Sequence, residues 1–448
     1  MPLEKSNLDR VLKTSLGEAG YRIVERLEDA GYDTWWVGGS AREILGGHVP
    51  VDIDIATAAT PEQVKTVFPK ANLAAAALGS VRVTQGKHTF EVTTFRKDDK
   101  ASDGRHPESI VFGTHAEDGE RRDFTVNALY LHPISRELFD PHGGEADLRE
   151  KLVRFIGEPA TRIKHDALRI LRAVRLRATL DGQYHPDTYA ALREHAEFIE
   201  ILSGQRQLEE LEKILAKPRA SIALEDLWEL GVLERMLPEL WACKGIPQPA
   251  NYHKEGDVWE HAKQCVDYFR PDDDADVRLA ALFHDCGKAD TFSLKERIRF
   301  DHHAEVSSVK AAQALKRLQC PGKRIAKIEW MIKHHMMMGV FTELSDERKA
   351  HWYHHPWFAD LLRLMWLDIA GTTPSVYDLY DSIVADYHHF LDTHPRPEKA
   401  LLTGEEVMDI LGLPPGEEVG KALQSLHEAQ IRKEVNSKEE ARAFVKKR

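Results

Sequence analysis

Apolar residues in the first third of the chain switch repeatedly between strand and helix spacing, and from about residue 157 onward the helical spacing takes over. Residues 8–30 carry helical periodicity. TWWVGG (34–39) reads as a strand entering a glycine turn that opens a short helix, and VDIDIAT (51–57) as a second strand. Thr60-Pro61-Glu62 starts a helix that runs through Phe68, since proline suits the first helical turn. SVRVTQG and HTFEVTTF alternate as a hairpin-like pair. The fold class expected is α+β: a small mixed head followed by all-α modules. Residues 96–122 are polar, glycine-containing and poorly periodic, which predicts a mobile loop. After FDPHGG (139–144) and LVRFIG (152–157) come helical patterns such as HDALRILRAVRLRATL and QRQLEELEKILA. Two Pro/Gly-containing linkers, at 244–257 and 393–404, open further helical modules, and the last of these has amphipathic helices parted by Gly-Leu-Pro-Pro-Gly. Boundaries therefore fall at 1–157, 158–243, 244–392 and 393–448.

Length supports this division, because 448 residues exceed what a single hydrophobic core accommodates. With 42% hydrophobic and 30% charged residues, the composition is that of an ordinary globular protein. No apolar run approaches the roughly 20 residues of a bilayer span, and MPLEKSNLDR lacks a signal-peptide apolar core, so a cytoplasmic location without membrane contact is expected. Cys243, Cys265, Cys286 and Cys320 are scattered without CxxC spacing, which indicates structural thiols rather than a zinc site or a disulfide framework. A net charge of −12 argues mildly against a nucleic-acid partner. Local clusters argue the other way: Arg121-Arg122, the stretch Arg162–Arg175, Lys433, and Lys446-Lys447-Arg448.

Candidate chemistry begins with Gly38-Gly39-Ser40-Ala41-Arg42 and the pair Asp52 and Asp54. Alternate positions on a strand share a face, so the two carboxylates form an edge suited to a divalent cation such as Mg²⁺. A solvated strand edge would have the same pattern. The glycines let backbone approach a phosphate. Glu91, between Phe90 and Val92, is placed either to add a third carboxylate or to face solvent. Three carboxylates, two metals and a triphosphate suit in-line nucleotidyl transfer. In RRDFTVNA, Arg122 precedes an apolar helix that also carries Asp123 and Asn127, and arginine forks match phosphate oxygens; a surface helix N-terminus is the plainer alternative. Asp166, Arg169, Arg172 and Arg175 recur at helical spacing among apolar neighbours, where they serve either structural ion pairs or recognition of a base edge. Farther on, His261, His284-Asp285, His303, His334, His335 and Asp368 form an ordered series of imidazoles and carboxylates. That set suits a transition metal acting in phosphate-ester hydrolysis.

GGSARE, DID, FEVTTFR, SDGRHP, RRDFTVNAL, FDPHGG and HDALRILRAVR occur in family order, and through them the chain closely resembles bacterial class II tRNA nucleotidyltransferases, the CCA-adding enzymes, and their poly(A) polymerase relatives. The resemblance implies a polymerase-β-like head over 1–157, a helical nucleotide-reading neck over 158–243, an HD-type domain over 244–392 and a tRNA-contacting helical tail over 393–448. It also implies addition of C and A from CTP and ATP to tRNA 3′ ends. On that basis Asp52 and Asp54 would hold Mg²⁺, while Gly39, Arg42 and Arg122 would cradle the triphosphate. Asp166 and Arg169 would pair with the base, Arg172 would support the nucleotide, and the SDGRHP loop with Asp103, Gly104 and Arg105 would be linked to adding the final A. The histidine series resembles the HD phosphohydrolase superfamily, which implies that His261, His284, Asp285 and Asp368 form the core of a second metal site acting on terminal or 2′,3′-cyclic phosphates of RNA. Two departures stand out: His165 replaces the family's Glu, and Glu43 replaces its Asp. Partial CCA addition, poly(A) synthesis, an HD phosphohydrolase with an RNA-binding head, and an HD fold that only helps to hold tRNA remain open alternatives. The number of subunits is not legible in the sequence.

Overall fold

In the computed structural model, which describes residues 5–97, 111–251, 253–394, 401–431 and 434–447, the helical stretch expected over 8–30 divides into two helices, Lys5–Leu12 (α1) and Ser15–Asp29 (α2). The break has a local cause: Thr14 adopts an extended conformation and its Oγ accepts a hydrogen bond from Gly17 N at 3.0 Å, capping α2. Thr34–Val37 (β1) is buried throughout and leads into Gly38, whose φ of 64° turns the chain directly into Gly38–Leu45 (α3). The second strand is shorter than expected. It spans Asp54–Thr57 (β2), and Asp52 stands in a bend just before it rather than on its face. Pro61–Val67 (α4) starts from a capping box made by Thr60 and Gln63. Ser80–Gln85 (β3) and His88–Thr94 (β4) form the expected hairpin around Gly86.

The segment 96–122 is not one loop. Arg96–Lys97 (β5) pairs antiparallel with Val111–Phe112 (β6), and His115–Arg121 (α5) is a helix with a capping box from Thr114 and Glu117. Asp103, Gly104 and Arg105 lie outside the described residues. Nor does RRDFTVNAL form the expected helix, since Thr125–Asn127 is a single 3₁₀ turn that enters Tyr130–Leu131 (β7), followed by Leu138–Phe139 (β8).

A six-stranded sheet in the order β3-β4-β2-β1-β7-β8 unites these pieces. Its one parallel pair, β2 with β4, sets Ile55 beside Val92, so Asp54 and Glu91, each one residue earlier, share a face. Helix α2 covers the sheet, packing Ile23, Val24 and Leu27 against Trp36, Ile55, Val81, Phe90 and Val92. After Gly144–Arg149 (α6), Pro159–His165 (α7) and Leu168–Leu180 (α8) follow, and α8 buries Ile170, Leu171, Ala173 and Val174. Short strands persist among the later helices: Leu152–Val153 pairs with Gln183–Tyr184, and Phe292–Leu294 with Ile298–Phe300.

The chain divides into two compact units, one ending at Met236 and the other starting at Leu237. In the second unit, the helices Val258–Asp267, Ala275–Phe283 and Phe358–Gly371 pack on one another, and Ala275–Phe283 also packs on Gly322–His334. The three helices Gly404–Leu411, Glu417–Ile431 and Lys438–Lys446 share a small core that includes Val407, Leu426 and Val445, and 412–416 parts the first two as expected. Among the described residues no helix is long and apolar enough to cross a membrane.

Candidate functional site

In the first unit a cleft of about 640 Å³ opens beside β2 and α3, lined by Asp52, Asp54 and Glu91 together with arginines of α3, α8 and the turn after α5. Asp54 is reached from solvent, yet the enclosure of the cleft, then the charges of Asp52 and Glu91, push its carboxyl up to about 6 against the pull of Arg122 and Arg42. Glu91 is steadied by Ser80, whose Oγ donates to it at 2.6 Å. A trio of carboxylates in mutual repulsion fits a divalent cation, which would relieve that repulsion. Gly38 is pressed into this corner: a Cβ there would stand 3.3 Å from Arg122 Nη1 and 3.7 Å from Asp54 Oδ2.

The cationic wall is held in place by a hydrogen-bond network. Asp118, only 2% exposed, accepts from Arg122 Nη2 at 3.0 Å and from Tyr130 Oη at 2.7 Å, and Arg122 Nη1 donates to Asn127 O at 3.2 Å. Burial alone would lower the Arg122 pKa, but Tyr130 and Asp118 hold it above its ordinary value. Arg42 donates to Asn127 Oδ1, Asn127 Nδ2 donates to Asp123 at 3.0 Å, and Asp123 accepts from Arg172 Nε at 2.6 Å. Despite these partners, burial most of all, and then Arg175 and Arg172, outweigh Glu43 and Asp123 and depress the Arg42 pKa, so a desolvated guanidinium stands beside two further cations. An anion is its natural complement.

Asp166, Arg169, Arg172 and Arg175 all reach the cleft, but Asp166 stands in extended backbone just ahead of α8 rather than on it. Arg169 Nη1 donates to Arg162 O at 2.8 Å, Asp166 accepts from Arg206 Nη2 at 3.1 Å, and Arg175 is tied to the buried Glu210. Gly38, Gly39, Arg42, Arg122, Asp123 and Asn127 line the same cleft; His165, exposed at the end of α7, does not. Asp118 and Arg206 went unnoticed in the sequence. The i, i+4 spacing of Asp118 and Arg122 was the signal for the first, and it needed 115–121 to be read as a helix.

The second unit gathers the buried His261, His284, Asp285, His303 and His335 and the partly exposed Asp368 into one cluster. His261 Nε2 lies 3.3 Å from His284 Nε2 and 3.1 Å from Asp368 Oδ1, while Asp285 approaches His284 Nε2 at 3.4 Å, His303 Nε2 at 3.4 Å and His335 Nε2 at 3.9 Å. The Nδ1 atoms of His284, His303 and His335 each face a backbone carbonyl, at 2.8, 2.9 and 2.6 Å, which leaves Nε2 toward the cluster centre. Asp285 Oδ1 and His303 Nε2 are buried without a hydrogen-bond partner, an arrangement that fits a bound cation. Burial opposes charge on His284, but Asp285 and Asp368 outweigh it and lift the imidazole to about 10, whereas burial and the neighbouring His284 hold His335 down at about 4. Lys288 Nζ reaches Asp285 Oδ2 at 2.6 Å. His334 is turned away, its ring 4.9 Å from that of Trp330. Cys265, expected to be a structural thiol because it lacks CxxC spacing, is brought by the fold to this cluster, its Sγ 3.6 Å from His261 Nε2.

Three stretches match known families: residues 34–154 the Poly A polymerase head domain, 183–244 the "Probable RNA and SrmB- binding site of polymerase A", and 257–363 the HD domain. The CC-adding tRNA nucleotidyltransferase of Thermus thermophilus is 34% identical over 437 residues, which cover 92% of this chain and 93% of that protein. The A-adding tRNA nucleotidyltransferase of Deinococcus radiodurans is 35% identical over 347 residues, covering 74% and 79%. Among solved structures, the CCA-adding enzyme of Bacillus stearothermophilus in complex with CTP superposes with a TM-score of 0.67 at 25% identity, covering 97% of this chain and 98% of that one. With its acidic and cationic cleft lining, its histidine cluster and a relative 34% identical over nine-tenths of both chains, the chain belongs to the bacterial tRNA nucleotidyltransferase and poly(A) polymerase family and carries an HD-type domain.

Proposed function

We propose that this chain extends tRNA 3′ ends with C, A or both, taking nucleotides from CTP and ATP and releasing pyrophosphate, in the cytoplasm. The observation that carries the reading is the cleft itself, in which a carboxylate trio and a set of arginines line one space able to admit a nucleotide. Asp52 and Asp54 would hold Mg²⁺, with the charge of Glu91 beside them, and a divalent ion there would supply the positive charge that makes the attacking hydroxyl more acidic and offsets the charge of the departing pyrophosphate. Arg42 and Arg122 grip the triphosphate, with Gly38 and Gly39 letting it lie close to backbone; Asp123 and Asn127 keep those arginines and Arg172 in place. Asp166 and Arg169 together offer acceptor and donor atoms to a base edge, while Arg172 and Arg175 flank the nucleotide. The 3′-oxygen of the tRNA forms a bond to the α-phosphorus as the bond to the bridging oxygen breaks, and the hydroxyl proton passes to solvent. Head, neck, HD-type domain and tail divide at 157, 243 and 392.

Incubating tRNA that lacks its end, or that ends in C-C, with labelled CTP or ATP tests the reading. Product length reports which nucleotides are added, and that result chooses between the CC-adding and A-adding relatives, which match almost equally well. Asp52→Ala and Asp54→Ala abolish incorporation; full incorporation by both variants would refute the assignment.

The buried histidine-aspartate cluster favours a second activity, metal-dependent hydrolysis of phosphate esters at RNA ends. Release of phosphate from a 3′-phosphorylated RNA, lost in Asp285→Ala and kept in Asp54→Ala, is the expected pattern.

A further inference from the structure

Helix Val258–Asp267 places His261 and Cys265 one turn apart on the same face, both fully buried. The thiol is not turned into the apolar core, as the thiol of a filler residue would be. Its Sγ stands 3.6 Å from His261 Nε2, and the ligating atoms of His261, Cys265 and His284 all lie within 4.8 Å of one another.

Two donors on one tetrahedral zinc ion, with Zn–N near 2.0–2.1 Å and Zn–S near 2.3 Å, are separated by about 3.3 Å for two nitrogens and about 3.6 Å for nitrogen and sulfur. The separations found are 3.3 Å for His261 Nε2 to His284 Nε2 and 3.6 Å for His261 Nε2 to Cys265 Sγ, and Asp368 Oδ1 stands 3.1 Å from His261 Nε2. These are ligand-to-ligand edges. In the adjoining group of Asp285, His303 and His335, Asp285 Oδ1 and His303 Nε2 are buried 3.4 Å apart without a hydrogen bond, which fits a cation beside them.

Neighbouring residues bring Cys265 to this position. A Cβ on Gly371 would collide with Cys265 Sγ and come within 2.8 Å of its backbone nitrogen, so only glycine lets helix Phe358–Gly371 lie this close. The carbonyl of Gly371 faces His261 Nδ1 at 3.2 Å, and Glu255 Oε1 lies 3.4 Å from the same nitrogen. Acceptors on that side keep the Nδ1 proton in place and leave Nε2 as the ligating atom.

We propose that Cys265 ligates, as a thiolate, the divalent ion held by His261, His284 and Asp368, and thereby makes this site selective for zinc-class ions over Mg²⁺. Soft sulfur beside imidazole favours zinc, whereas Mg²⁺ favours oxygen donors alone. The two units would then bind different metals, Mg²⁺ on the carboxylates of the first and zinc on the nitrogen and sulfur atoms of the second. The inference rests on the reading of the histidine cluster as a metal site.

The full chain, loaded with zinc in excess Mg²⁺ so that the head carboxylates are occupied, is examined by X-ray absorption. One sulfur scatterer at about 2.3 Å is expected. A zinc shell of nitrogen and oxygen alone overturns the thiolate ligand but keeps the metal site; failure to retain zinc overturns both. The cobalt-substituted protein is expected to show a near-ultraviolet thiolate-to-cobalt charge-transfer band that disappears in Cys265→Ser and survives in Cys320→Ser. Persistence of the band in Cys265→Ser overturns the proposal. Zinc affinity in that variant should fall by more than about tenfold, the lower end of what even outer-shell partners contribute. The X-ray absorption measurement needs no variant, so a folding defect in Cys265→Ser leaves the test intact.

Discussion

Asp54 shows how a functional side chain opposes its own fold. A carboxyl pushed up to about 6 from an ordinary 3.8 binds its proton more tightly in the folded chain, so the cation-free unit loses stability as pH rises through that interval. Asp54→Asn is therefore expected to raise the melting temperature of the metal-free protein at pH 8 while abolishing nucleotide incorporation, and added Mg²⁺ should close the stability gap. Thermal unfolding with and without Mg²⁺ measures this; a lower melting temperature for the variant in metal-free buffer would contradict it. Asp118 works in the opposite sense, as a buried anion that makes Arg121 and Arg122 affordable. Removing it in Asp118→Ala leaves guanidinium charge uncompensated and should cost about 3 kcal/mol in denaturant unfolding. KM for CTP should rise more than kcat falls, because Arg122 keeps its charge but loses its position. The carboxylates and arginines of the cleft were legible individually, since glycine turns, DxD spacing and Arg-rich helical repeats survive in one dimension. Asp118 was not, because its meaning lies in the groups it contacts, Arg121, Arg122, Tyr130 and the backbone of Arg96.

Local helix signals explain both the successes and the errors among the elements. Thr60-Pro61-Glu62 announced α4, where Thr60 and Gln63 form a capping box, and a capping box at Thr114 and Glu117 starts α5 in a stretch read as loop. HAEDGER has too few apolar residues for periodicity to show, so the cap was the only available signal. Thr114→Ala should cost about 1 kcal/mol through loss of that cap. Because α5 carries Asp118, incorporation at low CTP should weaken as well, and unchanged KM beside reduced stability would separate the helix from the site. RRDFTVNAL failed in the other direction: its apolar residues are buried on and around a 3₁₀ turn that runs into a sheet strand, and over so short a run they cannot be told from a helix by spacing. Asp52 reaches the cleft from a bend, so the strand alternation that first paired it with Asp54 gave the right neighbours by the wrong geometry.

For the whole molecule, the shift from mixed to helical patterning foretold an α+β head and helical remainder, and each unit carries its own candidate site. A ligand stabilises the unit that binds it by mass action. Calorimetry of the full chain should thus show CTP with Mg²⁺ raising one transition and zinc raising another, with the zinc effect lost in Asp285→Ala and CTP incorporation intact in that variant. A zinc shift that persists in Asp285→Ala would remove that residue from the cluster's metal chemistry. The pairing of Arg96–Lys97 with Val111–Phe112 has a different consequence. The chain leaves and re-enters the head at one clasp beside Arg96, a residue of the cleft lining, so the two jaws pin to the rim of the cleft both ends of whatever sequence runs between them.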